Sequence, residues 1–127
     1  MRKIAPLFVS AVLLAAVSAS ADELNVTFSN ESGLDVQFEF RSLSYYNRVW
    51  PGGNQAYTLG YDETRTVSLA CQFGEKIAYG AWVNGDADIY WGVGIDGSEA
   101  CESCVYTCGQ SYDGVNLTNT REYGIGD

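Results

Sequence analysis

Cysteine is the residue type in this chain best suited to chemistry, and all four cysteines lie between positions 71 and 108. Cys101 and Cys104 have the CxxC spacing, with Cys108 shortly after them and Cys71 well upstream. Such a set could bind structural zinc through thiolates or exchange disulfides with a partner. The second CxxC pair of common zinc sites is missing, and nothing near Cys101 predicts the helix amino terminus typical of redox motifs. We therefore expect two structural disulfides, with zinc as the alternative.

Four cysteines permit three pairings, and the sequence alone does not choose among them. If residues 101–104 were extended, the two Cα atoms would be about 10 Å apart, so a direct Cys101–Cys104 bond requires a turn. We expect the pairs Cys71–Cys104 and Cys101–Cys108. Closing the loop from 71 to 104 would contribute roughly 4 kcal/mol to stability by restricting the unfolded chain.

Histidine is absent from the whole sequence. This removes the usual general base of serine and cysteine hydrolases and the usual metal ligand. Asn84, Asp86 and Asp88 alternate like the opening of a calcium loop, but the glycine and glutamate that complete such a loop are missing. Sixteen acidic residues keep a carboxylate-dependent hydrolase open as an alternative, although no pair is singled out. We predict no catalytic residue, cofactor or metal.

The amino terminus has the features of a secretory signal peptide. Two basic residues precede an apolar run at 4–17, and small residues follow at 19–21, where a signal peptidase would cut. We predict a signal peptide over 1–21 and one secreted or periplasmic domain over 22–127, in a compartment that favours disulfides. No stretch is long enough to predict membrane insertion.

The exported domain is predicted to be strongly acidic. The full chain has a net charge of −9, and loss of Arg2 and Lys3 leaves five basic against sixteen acidic residues, about −11. The remaining basic residues are scattered singly, so the stripe that binds nucleic acid by counterion release is missing. We expect neither nucleic acid nor an anionic membrane surface as a partner.

Three glycosylation acceptor patterns begin at Asn25, Asn30 and Asn116. They matter only in a eukaryotic secretory host. The short signal peptide fits bacterial export equally well, so no glycan is assumed.

Short alternating runs predict an all-β fold. In residues 34–40, Leu34, Val36, Phe38 and Phe40 alternate with polar residues, so one face meets the core and the other meets water. Strands are predicted at 24–28, 34–40, 55–59, 65–71, 76–83, 89–95, 101–108 and 115–117. Without sustained helical periodicity, seven or eight short strands predict a small disulfide-stabilised antiparallel β-sandwich or barrel.

The clearest hairpin joins 76–83 to 89–95. A five-residue loop over 84–88 keeps one face apolar, whereas a two-residue Asn-Gly turn would mix the faces. The preferred register sets Val83 opposite Ile89, Ala81 opposite Trp91, Tyr79 opposite Val93, Ile77 opposite Ile95 and, on the other face, Lys76 beside Asp96. That other face also sets Trp82 beside Tyr90.

Trp82 and Tyr90 then stand over Gly80, Gly92 and Gly94. This arrangement predicts a flat platform on which a sugar ring could stack. The alternative is that the glycines allow a second sheet, or the segment 101–108, to pack closely and cover both rings.

A second aromatic cluster, Tyr45, Tyr46 and Trp50, surrounds Arg48 in a loop-like segment before Pro51. Loops of this kind carry binding surfaces, although ordinary packing at a sheet edge is an equal alternative. Aromatic content without a catalytic base favours a non-enzymatic binding domain for a carbohydrate or protein ligand. The alternatives are a cell-surface structural protein that pairs through a β edge, and the carboxylate-dependent hydrolase.

Overall fold

The structure is a computed structural model that describes residues 21–118. These residues form nine strands in two sheets, which confirms the all-β, sandwich-like prediction. The strands are β1 Ala21–Glu31, β2 Val36–Ser42, β3 Val49–Trp50, β4 Tyr57–Leu59, β5 Thr64–Gln72, β6 Lys76–Val83, β7 Asp86–Gly92, β8 Val105–Thr107 and β9 Ser111–Thr118. None of residues 21–118 lies in a helix long and apolar enough to cross a membrane. The predicted signal peptide falls almost wholly outside these residues.

The smaller sheet has three strands in the order β5-β1-β9. β1 and β5 are antiparallel and stay in register from the pair Ala21 and Gln72 to the pair Ser29 and Thr64. β9 runs parallel to β1, which departs from the purely antiparallel arrangement expected from the sequence. The chain reaches β9 from the other sheet instead of through a hairpin, so no tight turn dictates an antiparallel direction.

The larger sheet has six strands and is built on the pair β2 and β6. β6 pairs with β2 along the whole of Val36–Ser42. β3 and β4 therefore share the other edge of β2, and β7 and β8 share the far edge of β6. Each outer edge of the larger sheet is thus divided between two short strands.

The core lies between the two sheets and follows the alternation of the strands. Phe38 and Phe40 of β2 are fully buried, as is Phe28 of β1. The ring centroids of Phe28 and Phe38 are 4.5 Å apart, and Tyr79 of β6 meets Phe28 edge to face at 5.3 Å. Edge-to-face aromatic contacts of this kind add to the burial of apolar area.

The predicted start of the second strand at Leu34 is wrong, because Leu34 is exposed and β2 begins at Val36. The reason is the buried Asn30 side chain, whose nitrogen donates to the carbonyl oxygens of Leu34 (2.7 Å), Leu59 (3.2 Å) and Gly60 (3.1 Å). These bonds hold the β1–β2 turn against the end of β4. They also fully occupy the Asn30 amide at one of the three glycosylation patterns, whereas Asn116 is exposed.

All four cysteines form disulfides, as predicted, but the expected pairing is wrong. The bonds are Cys71–Cys108 and Cys101–Cys104. A turn at 101–104 brings the Cα atoms of Cys101 and Cys104 to 5.7 Å, which is within disulfide reach, unlike the distance in an extended segment. Backbone hydrogen bonds from Gly74 to Cys108 (3.1 Å) and from Cys108 to Glu75 (2.9 Å) place Cys108 beside the end of β5. Two disulfides fit a protein in an oxidising, extracellular compartment.

The hairpin of β6 and β7 has the expected partners over part of its length only. Gly80 pairs with Gly92, Ala81 with Trp91 and Trp82 with Tyr90. The five-residue loop is wrong, because Val83 pairs with Asp86 across a two-residue Asn84-Gly85 turn, and a bulge in β7 then restores the predicted faces. Beyond Gly92 one contact of the predicted pairing remains, because the Val93 N–H donates to the Tyr79 carbonyl oxygen at 2.9 Å. The Tyr79 N–H donates to the carbonyl oxygen of Cys104 at 3.2 Å instead, so the β6–β7 ladder ends at Gly92. The predicted pair of Ile77 with Ile95 is wrong, since β8 takes that edge and sets Tyr106 opposite Ile77.

Candidate binding cleft

The glycines under Trp82 and Tyr90 do not form an open platform. A Cβ atom on Gly80 would lie 2.1 Å from the carbonyl oxygen of Gly94, so the backbone after β7 folds directly over β6. Trp82 is only 5% exposed and Tyr90 is half-buried, with its hydroxyl donating to Glu99 Oε1 at 3.2 Å. The glycines are thus covered, as the alternative predicts, but the covering segment is 94–99 and not a second sheet or the segment 101–108.

A cleft of about 740 Å³ opens beside this cover, on the outer face of the larger sheet. Its floor consists of Gln37, Glu39 and Arg41, which alternate along β2 with the buried phenylalanines, together with Trp82 of the neighbouring strand β6. Residues 47–56 form one wall, and Ile95 and Asp96 form the other. We call this site the β2 cleft.

The wall at 47–56 arises from the way β3 and β4 share one edge of β2. The chain between them must leave the plane of the sheet, and it does so in a small hairpin where Gly52 pairs with Gln55. The two residues at its tip, Gly53 and Asn54, have φ of 65° and 59°. Positive φ at both central positions defines a type I′ turn, and glycine and asparagine tolerate it best.

Three charged side chains connect the floor to the opposite wall, and we call them the Glu39–Arg41–Asp96 triad. Arg41 Nε lies 3.0 Å from Glu39 Oε2, and Arg41 Nη2 lies 3.3 Å from Asp96 Oδ1. The backbone N–H of Asp96 also donates to Glu39 Oε2 at 3.0 Å. Glu39 is only 5% exposed, so its carboxylate anchors the 3-10 turn Ile95–Gly97 to the sheet from within the protein.

The predicted pairing of Asp96 with Lys76 is wrong. Lys76 lies at the other end of β6 from Trp82, where its Nζ donates to Thr107 Oγ1 at 2.9 Å. Asp96 instead turns toward β2, because the chain leaves the β6 ladder after Gly92 and enters the 3-10 turn. Asp96 itself has a φ of 57°, which fixes the direction of this wall.

Trp82 contributes to the floor through its edge and through one hydrogen bond. Its indole N–H donates to Gln37 Oε1 at 3.2 Å. This bond fixes the orientation of the Gln37 amide at the bottom of the β2 cleft. The cleft therefore presents amide, carboxylate and guanidinium groups whose positions are set by a rigid sheet.

Tyr45 and Trp50 of the second aromatic cluster enclose Arg48. The guanidinium carbon lies 5.4 Å from each ring centroid, and Arg48 Nε lies 3.2 Å from Oε2 of the buried Glu75. The Trp50 indole N–H donates across to the carbonyl oxygen of Ala70 at 3.1 Å, which connects the larger sheet to β5. These two aromatic residues therefore hold the loop against the body of the protein.

Tyr46 differs from its neighbours because 93% of its surface is exposed. It lines a second depression of about 300 Å³ beside the β2 cleft. Arg41, Asn47, Val49 and Asp96 line both spaces. The aromatic residues predicted from the sequence are thus divided, with Trp82 in the first space and Tyr46 at the second. Tyr45 and Trp50 contact Arg48, and Tyr90 contacts Glu99.

Sequence reasoning missed Gln37, Glu39, Arg41 and Asp96. The alternation in β2 correctly assigned the first two to the face turned away from the core, but it gave no sign that a wall would rise over that face.

Among residues 21–118 no group of three histidine, cysteine or acidic residues is placed to hold a metal ion. The fold and site define a small, disulfide-bonded β-sandwich with a polar cleft on one outer face. No protein-family model, curated protein or solved structure matches the chain.

Proposed function

We propose that this protein is an exported, non-enzymatic domain that binds an uncharged carbohydrate in the β2 cleft. The observation that carries the proposal is the fixed polar floor, in which the Glu39–Arg41–Asp96 triad lies on the same face as the Gln37 amide, and that amide accepts from the indole N–H of Trp82. Planar amide, carboxylate and guanidinium groups can donate to and accept from neighbouring hydroxyls at the same time. A site on a rigid sheet loses little conformational freedom when a ligand binds.

Charge and shape narrow the ligand class. The triad carries two negative charges and one positive charge, and the whole chain is strongly acidic. An anionic ligand would be repelled by both. The volume of about 740 Å³ falls within the range of small-ligand pockets, roughly 300–1,000 Å³. A folded protein ligand would need a broad surface instead, about 800 Å² on each partner.

The β-edge alternative has less support. Trp50 donates to a carbonyl oxygen of the β5 edge, and the edge strand β7 carries a bulge with Asp86 and Asp88 near its start. Bulges and charged side chains are features that protect an edge from pairing with another chain. Another strand could pair with the β5 edge only by displacing the Trp50 hydrogen bond, and with the β7 edge only by removing the bulge.

The hydrolase alternative is the second candidate, since Glu39 and Asp96 lie in one cleft. Both carboxylates contact the same guanidinium, and Glu39 Oε2 already accepts two hydrogen bonds. Hydrolysis needs one carboxyl group to protonate the leaving oxygen and a second to act from the other side of the bond. The shared contacts to Arg41 suit recognition of hydroxyl groups without cleavage.

The test is a glycan array with the purified protein, followed by calorimetry on the neutral glycans that bind. Asn47→Gly combined with Gln55→Ala removes two exposed polar side chains of the cleft wall, and glycine keeps the positive φ of 59° at position 47. Asn116→Ala is the control on the other sheet. We expect the double variant to lose at least about tenfold in affinity, which corresponds to one or two hydrogen bonds, and the control to match the wild type.

A blank array, equal affinity in the double variant, or cleavage of a bound glycan would each contradict the proposal. Circular dichroism of the variants establishes that they are folded, so a loss of affinity can be assigned to the cleft wall.

A further inference from the structure

We infer that the binding site takes an oligosaccharide across two subsites and that Tyr46 is the stacking surface of the second. This inference rests on the proposed carbohydrate function and extends it to ligand length. The first subsite is the β2 cleft, and the second is the depression of about 300 Å³ beside it. Because Arg41 and Asp96 line both spaces, the two lie next to each other on either side of this ion pair.

Tyr46 is placed to contact a ligand and has little role in packing. Tyr45 and Trp50 both contact the Arg48 guanidinium, whereas Tyr46 is 93% exposed. An exposed ring beside a polar depression offers an apolar face and a polar hydroxyl together. The apolar face is the part on which a sugar ring would stack, so the stacking contact does not depend on the hydroxyl.

The backbone that presents Tyr46 is held on both sides. The Ser42 hydroxyl oxygen accepts hydrogen bonds from the N–H groups of Ser44 at 3.1 Å and Tyr45 at 3.0 Å. The N–H of Ser42 donates to the carbonyl oxygen of Arg48 at 2.9 Å and closes the loop. A tyrosine on a fixed loop loses few rotatable bonds when a ligand orders it, so stacking contributes more to affinity.

The two spaces differ in chemistry, which predicts how each sugar ring is held. The floor of the β2 cleft contains Gln37, Glu39 and the edge of Trp82, so a ring there would be bound through its hydroxyls. The second space shares Arg41 and Asp96 with the cleft and adds Leu43, Tyr46 and Val93, so a ring there would meet the charged groups with its hydroxyls and these three side chains with its apolar face. Longer glycans should therefore gain affinity from stacking, while a single sugar would occupy only the polar subsite.

The experiment measures affinity against chain length for the wild type and three variants. The probes are the neutral β1,4-linked series of glucose and of N-acetylglucosamine, each from one to four units, together with the shortest and longest forms of any glycan found on the array. Two-dimensional NMR detects the weak binding of single sugars and calorimetry measures the longer ones. The variants are Tyr46→Ala, Tyr46→Phe and the control Tyr61→Ala, which removes another exposed tyrosine that lines neither space.

We expect affinity to rise by about tenfold or more from one unit to the longer chains, as an aromatic contact allows. Tyr46→Ala should abolish this rise and leave the affinity for one unit unchanged, whereas Tyr46→Phe and Tyr61→Ala should keep it. Equal affinity for all lengths in the wild type, or a rise that survives in Tyr46→Ala, would overturn the two-subsite inference and leave the proposed function standing. Absence of binding by every probe and every array glycan would overturn the proposed function itself.

Discussion

The outer faces of the two sheets differ in regularity, and the β2 cleft lies on the less regular one. The three-stranded sheet presents rows of hydroxyl and amide side chains that pair across strands. Thr27 and Thr66 are 2.7 Å apart through their hydroxyl oxygens, Ser29 and Thr64 are 3.2 Å apart, and Asn25 donates to Ser111 at 3.3 Å. β1 and β5 remain in register throughout, so no segment is inserted between their paired side chains, and the β1–β9 pairing has one register shift between Val26 and Phe28.

The outer face of the six-stranded sheet is interrupted at every edge. β3 and β4 divide one edge, β7 and β8 divide the other, and the chain folds back over Gly80 between them. Each interruption sends a segment out of the sheet plane, and two of these segments become the walls of the β2 cleft. The concave site therefore results from irregular strand pairing in the larger sheet, whereas the same alternating pattern with more regular pairing gives the flat face of the smaller sheet.

The largest expected effect comes from filling the space over Gly80. Gly80→Ala would place a methyl group against the Gly94 carbonyl oxygen, so either β6 or the covering segment must move. We expect a loss of about 3 kcal/mol in unfolding free energy, at the upper end of overpacking effects. Urea denaturation measures it, and Ser68→Ala on the flat face is the control, with an expected loss below about 1 kcal/mol. Equal stability of Gly80→Ala and the wild type would show that the segment 94–99 can move away from β6 without loss of stability.

The next effect comes from the triad. Arg41→Met removes both ion pairs and leaves the Glu39 carboxylate buried without its cation, which we expect to cost roughly 1–3 kcal/mol. Adding Glu39→Gln should recover part of this loss because the uncompensated charge is removed. Lys76→Met, an exposed cation on the same sheet, should change stability by less than about 0.5 kcal/mol. Thermal unfolding of the four proteins gives the comparison, and identical losses for Arg41→Met and Lys76→Met would show that the triad does not stabilise the wall.

The flat face and the cleft also differ in how much of each could be predicted from the sequence. The strands and their buried faces follow from local alternation, as in β2, where Phe38 and Phe40 point inward as predicted. The disulfide pairing did not follow, because a turn at 101–104 depends on where β8 docks. The hairpin loop was wrong because a bulge in β7 reconciles a short turn with the predicted faces, and a strict period of two cannot represent a bulge.

The cleft could not be predicted because its parts are distant in sequence. Arg41 and Asp96 are separated by 55 positions, and they meet only after the chain leaves the β6 ladder at Gly92. The glycines did carry a signal, since Gly80, Gly92 and Gly94 indicated a close approach of another segment. They did not indicate which segment, and residues 94–99 supply the cover in place of a second sheet or the segment 101–108.

A smaller effect is expected on the flat face. Thr27→Val with Thr66→Val removes both members of a hydroxyl pair and keeps two β-branched side chains of similar shape. Replacement of both partners is close to neutral, so we expect a change within about 0.5 kcal/mol and no change in glycan affinity. Denaturation and calorimetry check both quantities. A loss of affinity in this variant would show that the flat face takes part in binding, and the distinction between the two faces would fail.

The smallest effect is expected at the seam between the sheets, where Arg65 of β5 lies 5.4 Å from the ring centroid of Tyr57 of β4. Burial raises the pKa of Tyr57 above its usual value near 10, and the positive charge of Arg65 opposes this shift. The folded-state pKa of Tyr57 is therefore higher than its unfolded-state pKa of about 10. The stability that the neutral phenol contributes is complete below about pH 10 and is lost as pH rises through the folded-state pKa. Urea denaturation of wild type and Tyr57→Phe at pH 8 and at about pH 11 should therefore show a smaller alkaline loss in the variant. Parallel losses in both proteins would mean that ionisation of Tyr57 does not weaken the seam, and that alkaline sensitivity arises from other ionisable groups.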